Sequence, residues 1–224
     1  MNEQPIEKTC CDNGETLDVA DIFYSIQGEG PDAGAPAVFI RLAGCNLKCY
    51  FCDTDYTSVR QKMTVDEIVR QCCSLINCLI VDCIPTEFVV ITGGEPFRQN
   101  ITKLVNGLHE AGFFPQVETN GTCGTRGLNH HDMSVICSPK GPIVHHDIKM
   151  CVSAAKYVGR AGELDENDGL PIGLYRFRDV PIFLQPMDEK DPIKTSANLE
   201  AVIESCKKFG HILSLQIHKI IGVE

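Results

Sequence analysis

Three cysteines lie close together within the first quarter of the chain. Cys45, Cys49 and Cys52 follow the pattern C-x3-C-x2-C in the segment GCNLKCYFC. Three thiolates on one short loop can each bind one iron of a [4Fe-4S] cubane and leave the fourth iron without a protein ligand. That open iron can bind a small molecule directly, whereas four cysteine ligands restrict a cluster to electron transfer. The spacing therefore predicts a cluster that takes part in chemistry.

The same thiols offer an alternative, a zinc ion that stabilises a binding module without enzymatic activity. A structural zinc site is tetrahedral and needs a fourth Cys or His nearby. The next cysteines along the chain, Cys72 and Cys73, are about a helix away. We therefore favour iron and sulfur over zinc, and analysis for iron and sulfide separates the two hypotheses.

Composition narrows the class of protein. The chain has 224 residues, 13 of them cysteines, and a net charge of -10. An odd number of cysteines and a polar start without a signal-peptide pattern favour free thiols in the cytoplasm over a secreted disulfide framework. The acidic balance argues against a nucleic-acid surface. No apolar run reaches the roughly 18 residues of a membrane span, so we expect no membrane partner.

Strand and helix signals alternate along the chain. A capping box formed by Thr64 and Glu67 begins one helix, and the 3.6-residue period of apolar positions continues it. Further helices are predicted over residues 101–108 and 198–209, and strands over residues 38–42, 87–91, 115–118, 134–137, 180–184 and 212–217. Repeated strand–helix units predict an α/β fold with a mostly parallel sheet. The units are too few for a closed eightfold barrel, which leaves a partial, TIM-like β/α barrel.

The domain organisation expected from this layout is simple. Residues 1–20 form an N-terminal extension, and residues 21–224 form a single core domain with an acidic, Gly-rich insertion near 159–173.

Distinctive residues follow the predicted strands: Cys45, Gly94, Asn120, Ser138 and Gln185. The carboxyl ends of parallel strands meet at one edge, where ligands bind in such sheets. We therefore expect these five residues to surround one site.

Two motifs together resemble the radical S-adenosylmethionine superfamily. The first is the cysteine pattern with an aromatic residue at Phe51, and the second is the segment GGEP at residues 93–96. The GGEP segment alone would be read as an ordinary turn, but the cysteine motif precedes it by one strand–helix–strand unit, as in that superfamily. The resemblance implies its partial barrel, and glycines that let the backbone approach the cofactor closely.

Within the superfamily, the chain is similar to the 7-carboxy-7-deazaguanine synthase family from residue 22 onwards. The matching segments are residues 22–30, 36–47, 52–54, 118–121, 138–140, 185–188 and 216–219. The resemblance implies a lyase of queuosine and 7-deazapurine biosynthesis that contracts 6-carboxy-5,6,7,8-tetrahydropterin to 7-carboxy-7-deazaguanine and releases ammonia. It also implies three cofactors: a [4Fe-4S] cluster, S-adenosylmethionine and Mg²⁺. The match is poor over residues 141–173.

The resemblance assigns roles residue by residue, with no side-chain acid or base because radical chemistry starts at the cluster. Cys45, Cys49 and Cys52 hold the cluster, and Thr54 binds magnesium. The residues expected to bind S-adenosylmethionine are Phe51, Asp53, Gly94, Glu95, Ser138, Pro139, Lys140, Gln185, Pro186, Met187 and Asp188. Those expected to bind the substrate are Ile26, Gln27, Gly28, Glu29, Arg41, Thr92, His218 and Glu224.

The implied partners are the pterin, an electron donor such as flavodoxin or ferredoxin, and a second copy of the chain in a homodimer. One rival hypothesis keeps the radical chemistry but changes the substrate. Glycyl-radical activating enzymes also carry C-x3-C-x2-C on a short chain, and they act on a protein partner. Under that hypothesis, substitutions at Gln27, Glu29 and Thr54 would have almost no effect on activity.

Overall fold

The computed structural model describes residues 4–77 and 87–223, and in that part of the chain nine strands form one sheet. The strands are β1 Thr16–Ile26, β2 Pro36–Leu42, β3 Gln61–Thr64, β4 Phe88–Gly93, β5 Phe114–Thr119, β6 Ser134–Cys137, β7 Ala154–Gly159, β8 Ile182–Pro186 and β9 Ile212–Leu213. The helices are α1 Val65–Asn77, α2 Thr102–Glu110, α3 His146–Cys151, α4 Pro192–Phe209 and α5 Ile217–Ile221, and a short 3-10 turn covers Pro96–Arg98.

The sheet is open and mostly parallel. Its order is β3-β1-β2-β4-β5-β6-β7-β8-β9, and every pair from β2 to β9 runs parallel. β1 pairs antiparallel with β2 on one side and with β3 on the other. Because the sheet ends at β3 and β9 without closing, the predicted partial barrel is confirmed.

Strand β2 shows how the two faces of the sheet differ. Val38, Ile40 and Leu42 belong to the main hydrophobic core, which they share with the buried faces of α1 and α2. Phe39 and Arg41 alternate with them and line a cavity on the opposite face. Successive side chains of a strand point to opposite faces, so a single strand supplies both core and site.

The predicted helix starting after Thr64 is confirmed. The Glu67 carboxylate accepts hydrogen bonds from the Thr64 amide and hydroxyl at 2.8 Å each. The Thr64 oxygen accepts in return from the Glu67 amide at 3.3 Å. This reciprocal capping box satisfies amides that have no partner within the helix.

Helix α4 begins six residues before the predicted position. Asp191 is its N-cap and accepts from the amides of Ile193 and Lys194 at 3.0 and 3.3 Å. Pro192 follows at the first helical position, where its missing N–H costs nothing. The pair Asp191-Pro192 is therefore the sequence signal that the apolar period alone did not reveal.

Three other boundaries also differ from expectation. The predicted end of the N-terminal extension at residue 20 falls inside β1, because Leu17 and Val19 pack into the core. The strand predicted over 212–217 is only Ile212–Leu213, and α5 follows it. The start of the predicted insertion at residue 159 is the buried end of β7, and Leu170 within the insertion joins the core.

Among the described helices, none is long and apolar enough to cross a bilayer.

Candidate active site

The carboxyl ends of the parallel strands surround a cavity of about 540 Å³. The five residues expected to meet at this edge all line it: Cys45, Gly94, Asn120, Ser138 and Gln185. Four of them follow the ends of β2, β4, β5 and β6, and Gln185 lies near the end of β8, so their convergence results from the parallel topology. The five residues therefore line one cavity, as the strand–helix layout predicted.

The cluster loop, residues 45–55, leaves β2 and returns to its own base. The Gly44 amide donates to the Tyr56 carbonyl at 3.0 Å, which closes the loop. Cys45, Cys49 and Cys52 all line the cavity. Burial raises the pKa of Cys45 to about 11, and it raises the pKa of Cys49 and Cys52 as well. A metal that binds here must therefore displace three thiol protons.

The number of protein ligands distinguishes a cluster from a single ion. Structural zinc requires a fourth Cys or His. In a cubane each cysteine binds its own iron, and three cysteines leave one iron open. Cys45, Cys49 and Cys52 all line the cavity and fit a cubane with one open iron. Within residues 4–77 and 87–223, no three Cys, His, Asp or Glu side chains are grouped as ligands of one metal ion.

Glu95 lies behind the cavity wall. It is fully buried and absent from the residues that line the cavity. Its carboxylate accepts from the Phe97 amide at 3.1 Å, the Thr119 hydroxyl at 2.7 Å and the Asn120 amide at 2.7 Å. Burial outweighs these bonds and raises the pKa of Glu95 to about 7. The carboxyl group predicted to contact S-adenosylmethionine thus joins the loops that follow β4 and β5.

Gly94 allows the loop after β4 to touch the cluster loop. A Cβ added at residue 94 would lie 2.1 Å from the Gly44 carbonyl oxygen and 2.8 Å from Cβ of Cys45. The Glu95 amide also donates to the Gly44 carbonyl at 3.1 Å. The first glycine of the motif, Gly93, has a φ of 129°, a conformation that favours glycine. Gly94 therefore packs against the base of the cluster loop, and Gly93 packs against Leu42 at the end of β2.

Replacing Gly94 by Ala is expected to displace the cluster loop, since the methyl group would collide with backbone that cannot move away cheaply. We expect the free energy of unfolding to fall by about 1–3 kcal/mol, as for overpacking elsewhere, and iron content after reconstitution to fall with it. Gly141 is a matched control, because a Cβ there meets open space. Full iron content in Gly94→Ala would contradict this role.

A polar wall of the cavity is formed by Gln27, Thr92 and Glu118. The Gln27 amide nitrogen donates to Glu118 Oε1 at 3.0 Å, and the Thr92 hydroxyl donates to Glu118 Oε2 at 3.0 Å. The Gln27 side-chain oxygen accepts from the Glu29 backbone amide at 3.1 Å. Glu118 therefore sets the orientation of both predicted substrate residues. Arg41 lies nearby with its guanidinium 5.5 Å from the centre of the Phe23 ring.

Glu29 forms an ion pair with Lys156 at the side of the cavity. Both side chains are largely buried, at 16% and 10% exposure. Glu29 also accepts from Gln216 at 2.7 Å and from Gln185 at 3.3 Å. Burial is the largest single influence and would raise the pKa of Glu29, but the charge of Lys156 and the hydrogen bonds from Lys156 and Gln216 together outweigh it and lower the pKa to about 2. Glu29 is thus ionised, and both of its carboxylate oxygens accept hydrogen bonds.

Comparison with known proteins identifies the family. The chain is 37% identical to 7-carboxy-7-deazaguanine synthase from Rhodospirillum rubrum, over 94% of each chain. It is also 37% identical to the enzyme of that name from Rickettsia prowazekii, over 95% of this chain and 91% of the relative. The chain belongs to the 7-carboxy-7-deazaguanine synthase family. No family model matches it.

A solved structure supports the fold. The crystal structure of QueE from Escherichia coli superposes with a TM-score of 0.66 over 90% of this chain and 94% of that one, at 24% identity. Membership in the 7-carboxy-7-deazaguanine synthase family confirms the prediction of a radical S-adenosylmethionine lyase and of its cofactors, a [4Fe-4S] cluster, S-adenosylmethionine and Mg²⁺.

In this member of the 7-carboxy-7-deazaguanine synthase family, the cavity also offers hydrogen-bond donors and acceptors suited to S-adenosylmethionine. Gln185 is 5% exposed, and its side-chain oxygen is buried without a hydrogen-bond partner in the described structure. Such an acceptor is costly unless a ligand or water donates to it. Lys140 donates to the Ser138 hydroxyl at 2.5 Å and lies 5.5 Å from the centre of the Phe51 ring. Burial lowers the pKa of Lys140.

Most residues predicted for the site line the cavity, and a few do not. Ile26, Gly28, Asp53, Thr54, Met187, Asp188 and His218 line it with those described above. Glu95, Pro139 and Pro186 are not among its lining residues. Glu224 lies outside the described residues.

Four residues that help to form the site had no predicted role: Glu118, Lys156, Gln216 and Lys219. Lys219 on α5 donates to Asp53 at 2.6 Å and to Asp188 at 2.9 Å, and so joins the cluster loop to the loop after β8. Three of the four lie in segments that resemble the family, which was the available signal. Lys156 lies within the poorly matching region, where the resemblance gave no clear signal.

Proposed function

We propose that this chain converts 6-carboxy-5,6,7,8-tetrahydropterin to 7-carboxy-7-deazaguanine with release of ammonia. The observation that carries the proposal is one cavity lined both by the cluster cysteines and by Gln27, Glu29, Arg41 and Thr92. The family supplies the reaction class, and the polar wall supplies groups that suit a pterin carboxylate and its guanine-like edge.

Arg41 is the residue we assign to the substrate carboxylate. A guanidinium presents a planar pair of donors that matches a carboxylate, which an ammonium does not. The stack on Phe23 holds the guanidinium at the cavity wall. Thr54 lines the same cavity, beside the third cysteine. Its hydroxyl is a hard oxygen ligand of the kind that Mg²⁺ prefers, so a magnesium ion there would bind the substrate carboxylate together with Arg41.

Gln27 and Glu118 suit the other end of the pterin. An amide offers both a donor and an acceptor, and a carboxylate accepts from ring N–H groups. Their mutual hydrogen bond fixes these groups before the substrate arrives, which lowers the ordering cost of binding. When bound, the cluster and S-adenosylmethionine supply the radical that starts the rearrangement, while these residues hold the ring in place.

The remaining partners belong to the same proposal. The cluster requires an electron donor, for which flavodoxin or ferredoxin is suitable, and we expect the chain to work as a homodimer in the cytoplasm. Mass measurement in solution and reduction of the cluster by each donor test these assignments separately.

An anaerobic assay of Arg41→Met tests the proposed substrate. Loss of a charge-assisted hydrogen bond costs about 1.5–3 kcal/mol, so we expect KM for the carboxytetrahydropterin to rise roughly 10- to 100-fold with full iron content. Arg70→Met, on the exposed surface of α1, is the control. Unchanged KM in Arg41→Met would contradict this assignment. Turnover of a glycine-containing protein substrate instead of the pterin would favour a glycyl-radical activating enzyme.

A further inference from the structure

The N-terminal strap, residues 4–10, runs beside the cluster loop and contacts both of its ends. Ile6 forms an isolated parallel bridge with Cys45, and the Glu7 amide donates to the Cys45 carbonyl at 2.7 Å. The motifs that resemble the family begin only at residue 22, and none of them includes residues 4–10. The strap holds the backbone of the first cluster cysteine.

Gln4 holds the other end of the loop through three hydrogen bonds. Its amide nitrogen donates to the Thr54 carbonyl at 2.8 Å. Its side-chain oxygen accepts from the Tyr56 amide at 2.9 Å and from the Thr57 hydroxyl at 3.0 Å. Residues 51–60 contain no helix and no strand. One side chain therefore gives order to backbone that secondary structure does not constrain.

Arg98 fixes the strap to the base of the cluster loop. Its guanidinium is 3% exposed and donates to the Ala43 carbonyl at 2.9 Å and to the Lys8 carbonyl at 3.2 Å. It also forms an ion pair with Glu7 at 3.4 Å. A Cβ at Gly44 would lie 2.7 Å from this guanidinium, so the cation packs directly against the residue before Cys45.

We propose that the N-terminal strap is a positioning element that presets the cluster loop for its iron–sulfur cluster and fixes the Thr54 segment beside it. An irregular loop must lose conformational entropy to hold a cluster at three points. The strap restrains the loop at Cys45 and at Thr54 beforehand, so less entropy is lost when the cluster binds. The inference depends on the cluster of the proposed enzyme but not on its substrate.

Release of iron from the reconstituted full-length protein tests the proposal. Gln4→Met removes all three hydrogen bonds and keeps an unbranched side chain of similar size. We expect iron to pass to a ferrous chelator about tenfold faster, equal to ~1.4 kcal/mol. Gln4→Glu keeps the two bonds to the side-chain oxygen and should release iron at an intermediate rate. The melting temperature of the cluster-free protein should fall only slightly in both, because the lost hydrogen bonds lie in a partly buried loop and the hydrophobic core is untouched.

Lys8→Ala is the matched control, because the Lys8 side chain is exposed on the same strap and only its carbonyl is used. Equal release rates in Gln4→Met and Lys8→Ala would overturn the proposal. So would a lower melting temperature of the cluster-free Gln4→Met protein that accounts for the faster release. No substrate is present in this assay, so failure of the proposed pterin reaction would leave its outcome unaffected.

Discussion

Cys49→Ser is expected to lose its iron–sulfur cluster and to have no detectable activity on the pterin. A serine hydroxyl does not ionise near neutral pH and cannot replace a thiolate as an iron ligand. With two cysteines left, the open-iron cubane has too few protein ligands. Enzymes accelerate reactions by at least about 10⁶-fold, so loss of the group that starts the reaction leaves no measurable rate. Iron and sulfide analysis with visible absorbance checks the first part, and product formation checks the second.

The comparison requires a cysteine that is not a ligand. Cys11 is exposed and stands just after the N-terminal strap, so Cys11→Ser should keep the full iron content and activity of the unaltered protein. If Cys49→Ser retained iron, the assignment of the cluster loop would be wrong. A colourless reconstituted protein that holds one zinc ion would instead favour the zinc-stabilised module.

Lys156→Met is expected to destabilise the fold and to disable the cavity. It leaves the Glu29 carboxylate buried without its counter-ion, and breaking a buried pair by removing one partner costs about 3–5 kcal/mol. Gln216 and Gln185 still donate to Glu29, so we expect the lower end of that range. Denaturant unfolding of the cluster-free protein measures the change. Activity should fall too, because Glu29 lines the cavity beside the cluster.

The double variant Glu29→Gln/Lys156→Met separates charge from shape. Two neutral side chains of similar volume should recover most of the lost stability, whereas activity should stay low if the Glu29 charge serves the substrate. Recovery of activity without recovery of stability would contradict this account of the pair.

The same pair predicts an acid limit on stability. The pKa of Glu29 lies at about 2 in the folded protein against a usual 4.5. A depressed pKa contributes stability that is complete above about pH 4.5 and is lost as the pH falls towards 2. Relative to the double variant, the unaltered protein should therefore lose its advantage over this interval. An advantage that persists unchanged at pH 2 would rule out the ion pair as its source.

Local signals in the sequence predicted the elements that depend on neighbouring residues. The capping box of Thr64 and Glu67 acts over three residues, and it started α1 as expected. The apolar run before Gly93 predicted β4, because a fully buried parallel strand reads as continuous hydrophobic sequence. The edge at which the site lies followed from strand–helix alternation alone.

Features that depend on distant contacts were not predictable in this way. Lys156 and Glu29 are 127 residues apart, and neither position signals the other. The alternating pattern after Ile212 favoured a long strand, yet the chain turns into α5, whose first amide donates to the Gly28 carbonyl at 3.0 Å. Glu95 was predicted to bind S-adenosylmethionine because its motif is shared with a superfamily. Its burial depends on the distant loop after β5.

Identification of the product is the most direct test of the central claim, that this cavity joins an open-iron cluster to a pterin site. The reconstituted protein is incubated without oxygen with S-adenosylmethionine, Mg²⁺, a reductant and 6-carboxy-5,6,7,8-tetrahydropterin, and the mixture is analysed by mass spectrometry and for ammonia. We expect 7-carboxy-7-deazaguanine and ammonia in equal amounts as the pterin disappears. Cleavage of S-adenosylmethionine by an intact cluster, with the pterin left unchanged, would contradict the account.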